Sequence, residues 1–345
     1  MDRRHFLQQS TFAAASMACN PQPFWGSSSS ALILGQGAKK YKLDTEWGKL
    51  DAARYPVKDC HEMVQDQKGR ILLLTNETRN NVIIYDKKGK LVTTWGNEYP
   101  GAHGLTLFNE NGEEFLFICD NSRHQVIKTT LSGRVVLTLD YPRETGQYTK
   151  AEEYVPTETT IAPNGDIYVV DGYGKDFVIQ YDASGKYIRH WGGRGTQPYH
   201  LKNAHGICYD NRNPSSPVLI VTSREENAFK RYTLQGGYID TIALPGAWVC
   251  RPVIHGDYLY AAVLQSNSRL WQQSGFVIIL DKNNHVVSNL AGSEPQYRGS
   301  VPEEMYQTVQ VFQYPHDVCV DDEENLYVAQ WNSGQVYPYK LTPVA

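Results

Sequence analysis

The sequence predicts an all-β fold, a six-bladed β-propeller, and three features carry that expectation. A histidine-led phrase recurs as Ala102-His103-Gly104-Leu105, Ala204-His205-Gly206-Ile207 and Pro315-His316-Asp317-Val318, each followed by a turn and a second apolar run. Once the register is fixed, weaker copies bring the ring positions to residues 61, 103, 157, 205, 250 and 316. The last copy stops one strand short, and a matching strand stands ahead of the first. A repeated four-strand unit that cannot bury its faces alone is the mark of a propeller.

Composition points the same way. Of 345 residues, 41% are hydrophobic and 20% charged, with 23 Tyr, 28 Gly and short apolar runs between Asn-Gly, Ser-Gly and Lys-Gly turns. That is the pattern of strands joined by tight hairpins. A net charge of −4 and the lack of a basic stripe give no reason to expect nucleic acid as a partner. No apolar run of about 18 residues is present to span a membrane.

Arg3-Arg4, followed by His5-Phe6-Leu7 and the weakly apolar stretch 10–18, resembles a twin-arginine export signal. A signal over 1–18 implies the twin-arginine export machinery as a partner and a periplasmic or secreted destination. Cys19 is an alternative lipid attachment point, although Ser16 stands where a lipoprotein signal usually has Leu. Residues 19–40, with their Ser and Gly clusters, are expected to form a flexible leader to a propeller over 41–345. Cys60, Cys119, Cys208, Cys250 and Cys319 are odd in number, and Cys208 and Cys319 each lie in an apolar strand three residues after a repeat histidine, so buried free thiols are expected rather than a disulfide framework.

The blades follow in order. Copy one runs from His61 through 70–74 and 82–85 to Trp95-Gly96; copy two is led by His103; copy three runs from Thr157 to Trp191-Gly192. Copy four is led by His205. Copy five, led by Cys250, diverges most and carries an insertion over 265–274. Copy six offers only 317–320, 326–330 and 336–341, and residues 41–48, ending in Trp47-Gly48, are expected to supply its outer strand and close the ring.

Equivalent inner positions of a six-bladed ring surround one axis, so His103, His205 and His316, from alternate blades, are expected to converge about 120° apart. Three imidazoles with a fourth position left open form a zinc site suited to catalysis. His61 breaks the pseudo-threefold; lining the pocket, contacting a substrate carboxylate and adding a ligand are all open to it. Thr157 and Cys250 read as wall residues. In the turns that open on the channel mouth, Tyr173 is a candidate general base and Arg224 a candidate carboxylate grip.

With those residues in place, the chain from Cys60 onward resembles the peptidyl-α-hydroxyglycine α-amidating lyases, six-bladed propellers of the NHL-repeat class. The resemblance is densest over Ile167 to Tyr173, Tyr187 to Gly192, Ser223 to Asn227 and Pro315-His316-Asp317. It implies zinc on His103, His205 and His316, Tyr173 as the catalytic tyrosine and Arg224 as a substrate arginine. It also implies a structural calcium held by the Asp317 carboxylate and the carbonyls of Met63 and Leu105. The family's blade-one arginine has Asn76 at its aligned position and Arg79 nearby, and the cysteine after the animal catalytic tyrosine is Gly174 here. The implied reaction is N-dealkylation of a carbinolamide, on a small-molecule or peptide-derived substrate, by a monomer. Two other readings stay open: a binding or scaffold propeller without metal, and a metal-dependent hydrolase or lyase acting on another substrate, such as one derived from a sugar.

Overall fold

The computed structural model describes residues 32–267 and 273–344; the expected signal, with Cys19, lies outside them. Among the described residues, helix is confined to single turns at Arg143–Thr145, Ala151–Glu153 and Arg224–Glu226. None of the described helices is long and apolar enough to cross a membrane.

Six antiparallel sheets form the blades. Blade one is Cys60–Gln65, Ile71–Thr75, Val82–Tyr85 and Leu91–Trp95; blade two is Ala102–Glu110, Glu113–Asp120, Gln125–Thr130 and Val135–Leu139. Blade three is Glu158–Ile161, Ile167–Val170, Phe177–Tyr181 and Tyr187–Gly192; blade four is Ile207–Asp210, Val218–Ser223, Ala228–Tyr232 and Tyr238–Ala243. In blade five the inner edge is split, Ala247–Val249 and Val253–His255 both pairing with Tyr258–Ser266, before Phe276–Leu280 and Val286–Leu290. A small hairpin, Tyr297–Arg298 with Val301–Pro302, fills the long interval before blade six.

Blade six takes Pro315–Val320, Leu326–Gln330 and Tyr339–Pro343 from the C-terminal end, and its fourth strand, Lys39–Asp44, from the N-terminal end. The ring is thus closed as expected, but the strand sits earlier than 41–48. The side chain of Asp44 accepts the Glu46 N–H at 2.9 Å, turning the chain out of the sheet before Trp47. A fifth strand, Ile33–Gln36, pairs outside it, within the stretch expected to be leader. Its Gln36 donates to the carbonyls of Asn289 and Gly292, tying blade six to blade five.

Middle strands such as Ile71–Thr75, Ile167–Val170 and Leu326–Gln330 are buried throughout, so they read as unbroken apolar runs. The outer strands of blades one to four are half exposed. Each Trp-Gly ending lies on a hairpin glycine of the next blade: a Cβ on Gly133 would fall 2.7 Å from the Trp95 ring, and one on Gly236 2.6 Å from the Trp191 ring. Both glycines also have positive φ, 89° and 90°, so shape and conformation alike demand glycine there. Trp47 repeats the seam between blades six and one, its ring centroid 4.5 Å from that of Tyr327 and 5.2 Å from that of Tyr85.

Candidate metal centre and channel site

Inner strands of successive blades lie side by side around the axis, and in blades one, two and six a local irregularity in pairing aims the leading histidine inward. In blade one the pairing steps from Cys60↔Thr75 to Glu62↔Leu74, leaving His61 as the extra residue. The same shift isolates His103 between Ala102 and Gly104 and His316 between Pro315 and Asp317. An extra residue in one strand re-aims its side chain, and here it turns each imidazole to the axis. His205 comes just before its strand and reaches the same place. Ring centroids of His103, His205 and His316 are 4.8, 4.8 and 4.9 Å apart, and His61 stands 4.8 Å from His103 and 4.9 Å from His316. His61, expected to break the symmetry, is therefore inside the cluster. Ligand atoms of His61, His103 and His316 all lie within 4.8 Å of one another, a group that could hold a metal ion.

All four imidazoles are buried, between 1% and 4% exposed. Burial, followed by the charge of Lys58, lowers His61 to about 3. Burial also drives His103, His205 and His316 well below the usual histidine range, with the Arg224 guanidinium and neighbouring imidazoles adding to the effect. The rings are therefore neutral. Nδ1 of His103 lies 2.8 Å from the Thr157 carbonyl and Nδ1 of His316 3.1 Å from the His61 carbonyl. A carbonyl only accepts, so these Nδ1 atoms carry the proton and each Nε2 keeps a lone pair, the tautomer a metal requires. Buried neutral nitrogens with converging lone pairs suit zinc.

Tyr173 closes this cluster from the mouth. The residue is 42% exposed, yet its hydroxyl lies 3.1 Å from Nε2 of both His103 and His205. Asp171 fixes the turn that carries it, accepting from the Val155 and Lys175 N–H groups at 2.7 Å each and from the Tyr148 hydroxyl at 2.6 Å. Gly172 must be glycine because a Cβ would fall 2.2 Å from the Ala204 carbonyl oxygen of blade four. Burial of the phenol raises its pKa, against the pull of the Arg224 guanidinium. Arg224 is buried, with Nε on the Val249 carbonyl at 3.3 Å and Nη2 on Cys250 Sγ at 3.1 Å. The two blade-one candidates are engaged elsewhere: Asn76 donates to Asp59 at 2.9 Å, and Arg79 is exposed and paired with Glu77 at 3.2 Å.

One residue further along each inner strand lies a second ring that the sequence reading missed. It reads Glu62, Gly104, Glu158, Gly206, Arg251 and Asp317 around the six blades. The donors expected to hold calcium do meet here, but around the Arg251 guanidinium. Its Nη1 donates to the Leu105 carbonyl at 2.7 Å, and its Nη2 to the Met63 carbonyl at 3.1 Å. Nε and Nη2 reach the two Asp317 oxygens at 3.1 and 2.8 Å. With every one of those oxygens taken by an N–H, the set does not fit a calcium ion beside the arginine. The signal was in the sequence, as the column of residues following the ring positions; the divergence of copy five hid it. Beyond the arginine, a 370 Å³ cavity lined by Val64, Thr106, Cys208, Ile254 and Val320 occupies the far end of the channel. All five cysteines of the described residues are free.

No family model matches the chain. Over 108 residues it is 32% identical to peptidyl-alpha-hydroxyglycine alpha-amidating lyase 1 of Drosophila melanogaster, covering 30% of this chain and 19% of that protein. Over 115 residues it is 30% identical to a probable peptidyl-alpha-hydroxyglycine alpha-amidating lyase of Caenorhabditis elegans, covering 33% of this chain and 31% of that one. The match thus spans a third or less of the length of these relatives. Among solved structures, a streptogramin B lyase superposes with a TM-score of 0.57 at 13% identity, covering 88% of this chain and 97% of that one. A gluconolactonase from Xanthomonas campestris gives 0.59 at 10% identity, covering 90% and 94%. Such identities speak for the fold alone. The chain is a six-bladed β-propeller with a distant sequence relationship, over about a third of its length, to the amidating lyases.

Proposed function

We propose that this protein is an exported, metal-dependent lyase that cleaves the C–N bond of a hydroxylated amide, releasing a primary amide and glyoxylate. The observation that carries the reading is the Tyr173 hydroxyl, 3.1 Å from Nε2 of both His103 and His205 at the rim of a buried four-histidine cluster. Partial identity to amidating lyases supports the choice of substrate class.

His103, His205 and His316 would hold zinc, with His61 close enough to add a ligand, and the ion would polarise the substrate oxygen and lower the pKa of nearby hydroxyls. Tyr173 would take the proton from the substrate hydroxyl as the C–N electron pair leaves with nitrogen. The departing amide nitrogen gains one proton, so substrate and products balance without any oxidant. Arg224 is anchored through Nε and one Nη2 hydrogen, and a guanidinium has five donors, which leaves it able to grip a substrate carboxylate. The shell of apolar strands behind the cluster keeps water from the imidazoles and strengthens every charge interaction within it.

The test is glyoxylate release from an N-acyl-α-hydroxyglycine by the zinc-loaded protein, beside metal analysis. One zinc per chain, lost in His103→Ala, and a fall in kcat of at least about 10²-fold in Tyr173→Phe are expected. Undiminished release by Tyr173→Phe would remove that residue as the base. Bound zinc with no glyoxylate formed would move the reading to hydrolysis, and a chain that takes up no transition metal would move it to a scaffold.

A further inference from the structure

We infer that Arg251 is a cation built into the chain at the propeller axis, replacing a bound calcium ion and making the fold independent of calcium. The inference rests on the axial ring rather than on the histidine site, and it stands whether or not the chain is a lyase.

The geometry is that of a pin through all six blades. Arg251 comes from blade five and donates to backbone carbonyls of blade one, at Met63, and blade two, at Leu105. It grips the blade-six carboxylate of Asp317 with two donors, while Glu62 of blade one and Glu158 of blade three approach at 3.3 and 3.8 Å. Blade four contributes Gly206, where a Cβ would fall 2.6 Å from the Arg251 Cα and 3.0 Å from its backbone nitrogen. Gly104 has the same role beside blade three, 2.6 Å from the Thr157 carbonyl. Two glycines thus make room for three carboxylates and one guanidinium.

Burial raises Glu62 and Glu158 above the usual carboxylate range, so the guanidinium charge serves Asp317 above all, which it meets at 2.8 Å. Glu62, Glu158 and Asp317 have no exposed surface, and a buried carboxylate without a positive partner is strongly unfavourable. They are also held in place by backbone donors. Leu105 N–H reaches Glu62 at 2.6 Å, Met63 N–H reaches Asp317 at 2.9 Å and Thr159 N–H reaches Glu158 at 2.8 Å. A divalent ion would take six to eight oxygens at about 2.3–2.6 Å. The guanidinium instead meets its partners at 2.7 to 3.1 Å, the lengths of charge-assisted hydrogen bonds, and it cannot dissociate.

The experiment uses the full chain at fixed zinc. Metal analysis after purification in the presence of calcium should find none in stoichiometric amount, and adding millimolar calcium should leave Tm unchanged. Arg251→Met should lower Tm by about 5 °C or more, because the carboxylates lose their partner. Arg251→Ala, which opens the oxygen cage, should take up calcium and regain part of its lost Tm when calcium is added. One calcium per wild-type chain, or a rise in wild-type Tm on adding calcium, would overturn the inference even if neither variant folds. So would an Arg251→Met protein as stable as the wild type.

Discussion

His61, His103, His205 and His316 meet as neutral rings, and the sign of their titration follows. Each binds its proton less readily in the fold than in the unfolded chain, so protons favour unfolding. In metal-free protein the associated stability is fully present above about pH 6.5. It falls as pH drops below that value, by up to about 1.4 kcal/mol per unit for each histidine. Urea midpoints taken between about pH 7 and 5 would show this, and a flat profile would contradict neutral burial. Gly172→Ala is a second test at this scale: the added methyl would displace the Tyr173 turn from blade four, destabilising the protein by about 1–3 kcal/mol and reducing turnover. The histidine positions were legible because copy spacing puts equivalent residues of the repeat around one axis. The bulges that deliver them were not, since an irregularity in pairing leaves no mark on a single strand. Arg251 escaped notice for a different reason: its copy begins with Cys250 and splits its inner edge, so no histidine marks the register there.

Among the elements, the closing strands bear most directly on stability. Tyr41 is 1% exposed and lies in the same core as Leu290 and Leu341, so Tyr41→Ala should cost about 3 kcal/mol. Removing residues 32–44 should do more, exposing Tyr339–Pro343 as an unpaired edge that promotes aggregation. An unchanged thermal midpoint and unchanged solubility in that truncated chain would refute the closing role. That such a strand exists was readable from the missing outer strand of the last copy and from Trp47-Gly48. Its limits were not. Trp95 and Trp191 end their strands inside the sheet, whereas Trp47 reaches its seam only after the chain has left the sheet at Asp44. The third strand of blade six was likewise expected at 336–341, but left-handed residues at Asn332 and Gln335 delay it to Tyr339–Pro343.

For the whole molecule, the number of blades, their order and the mode of closure were legible because each follows from the repeat. The chemistry of the axis was less so, because it depends on side chains from different copies meeting. A histidine cluster assembled from different blades exists only in the closed ring, so any metal it holds should bind the folded state in preference to the unfolded one. Zinc at about 100 times its Kd should therefore add about 2.7 kcal/mol of stability, and the added stability should vanish in His103→Ala. Equal zinc shifts in both proteins would place the ion elsewhere. One consequence of the shared last blade concerns synthesis. The strand Lys39–Asp44 leaves the ribosome well before its partner Tyr339–Pro343, which emerges ~15–60 s later at ~5–20 residues per second. Throughout that interval the nascent chain carries an orphaned strand, and closure of the ring has to wait until Tyr339–Pro343 has been made.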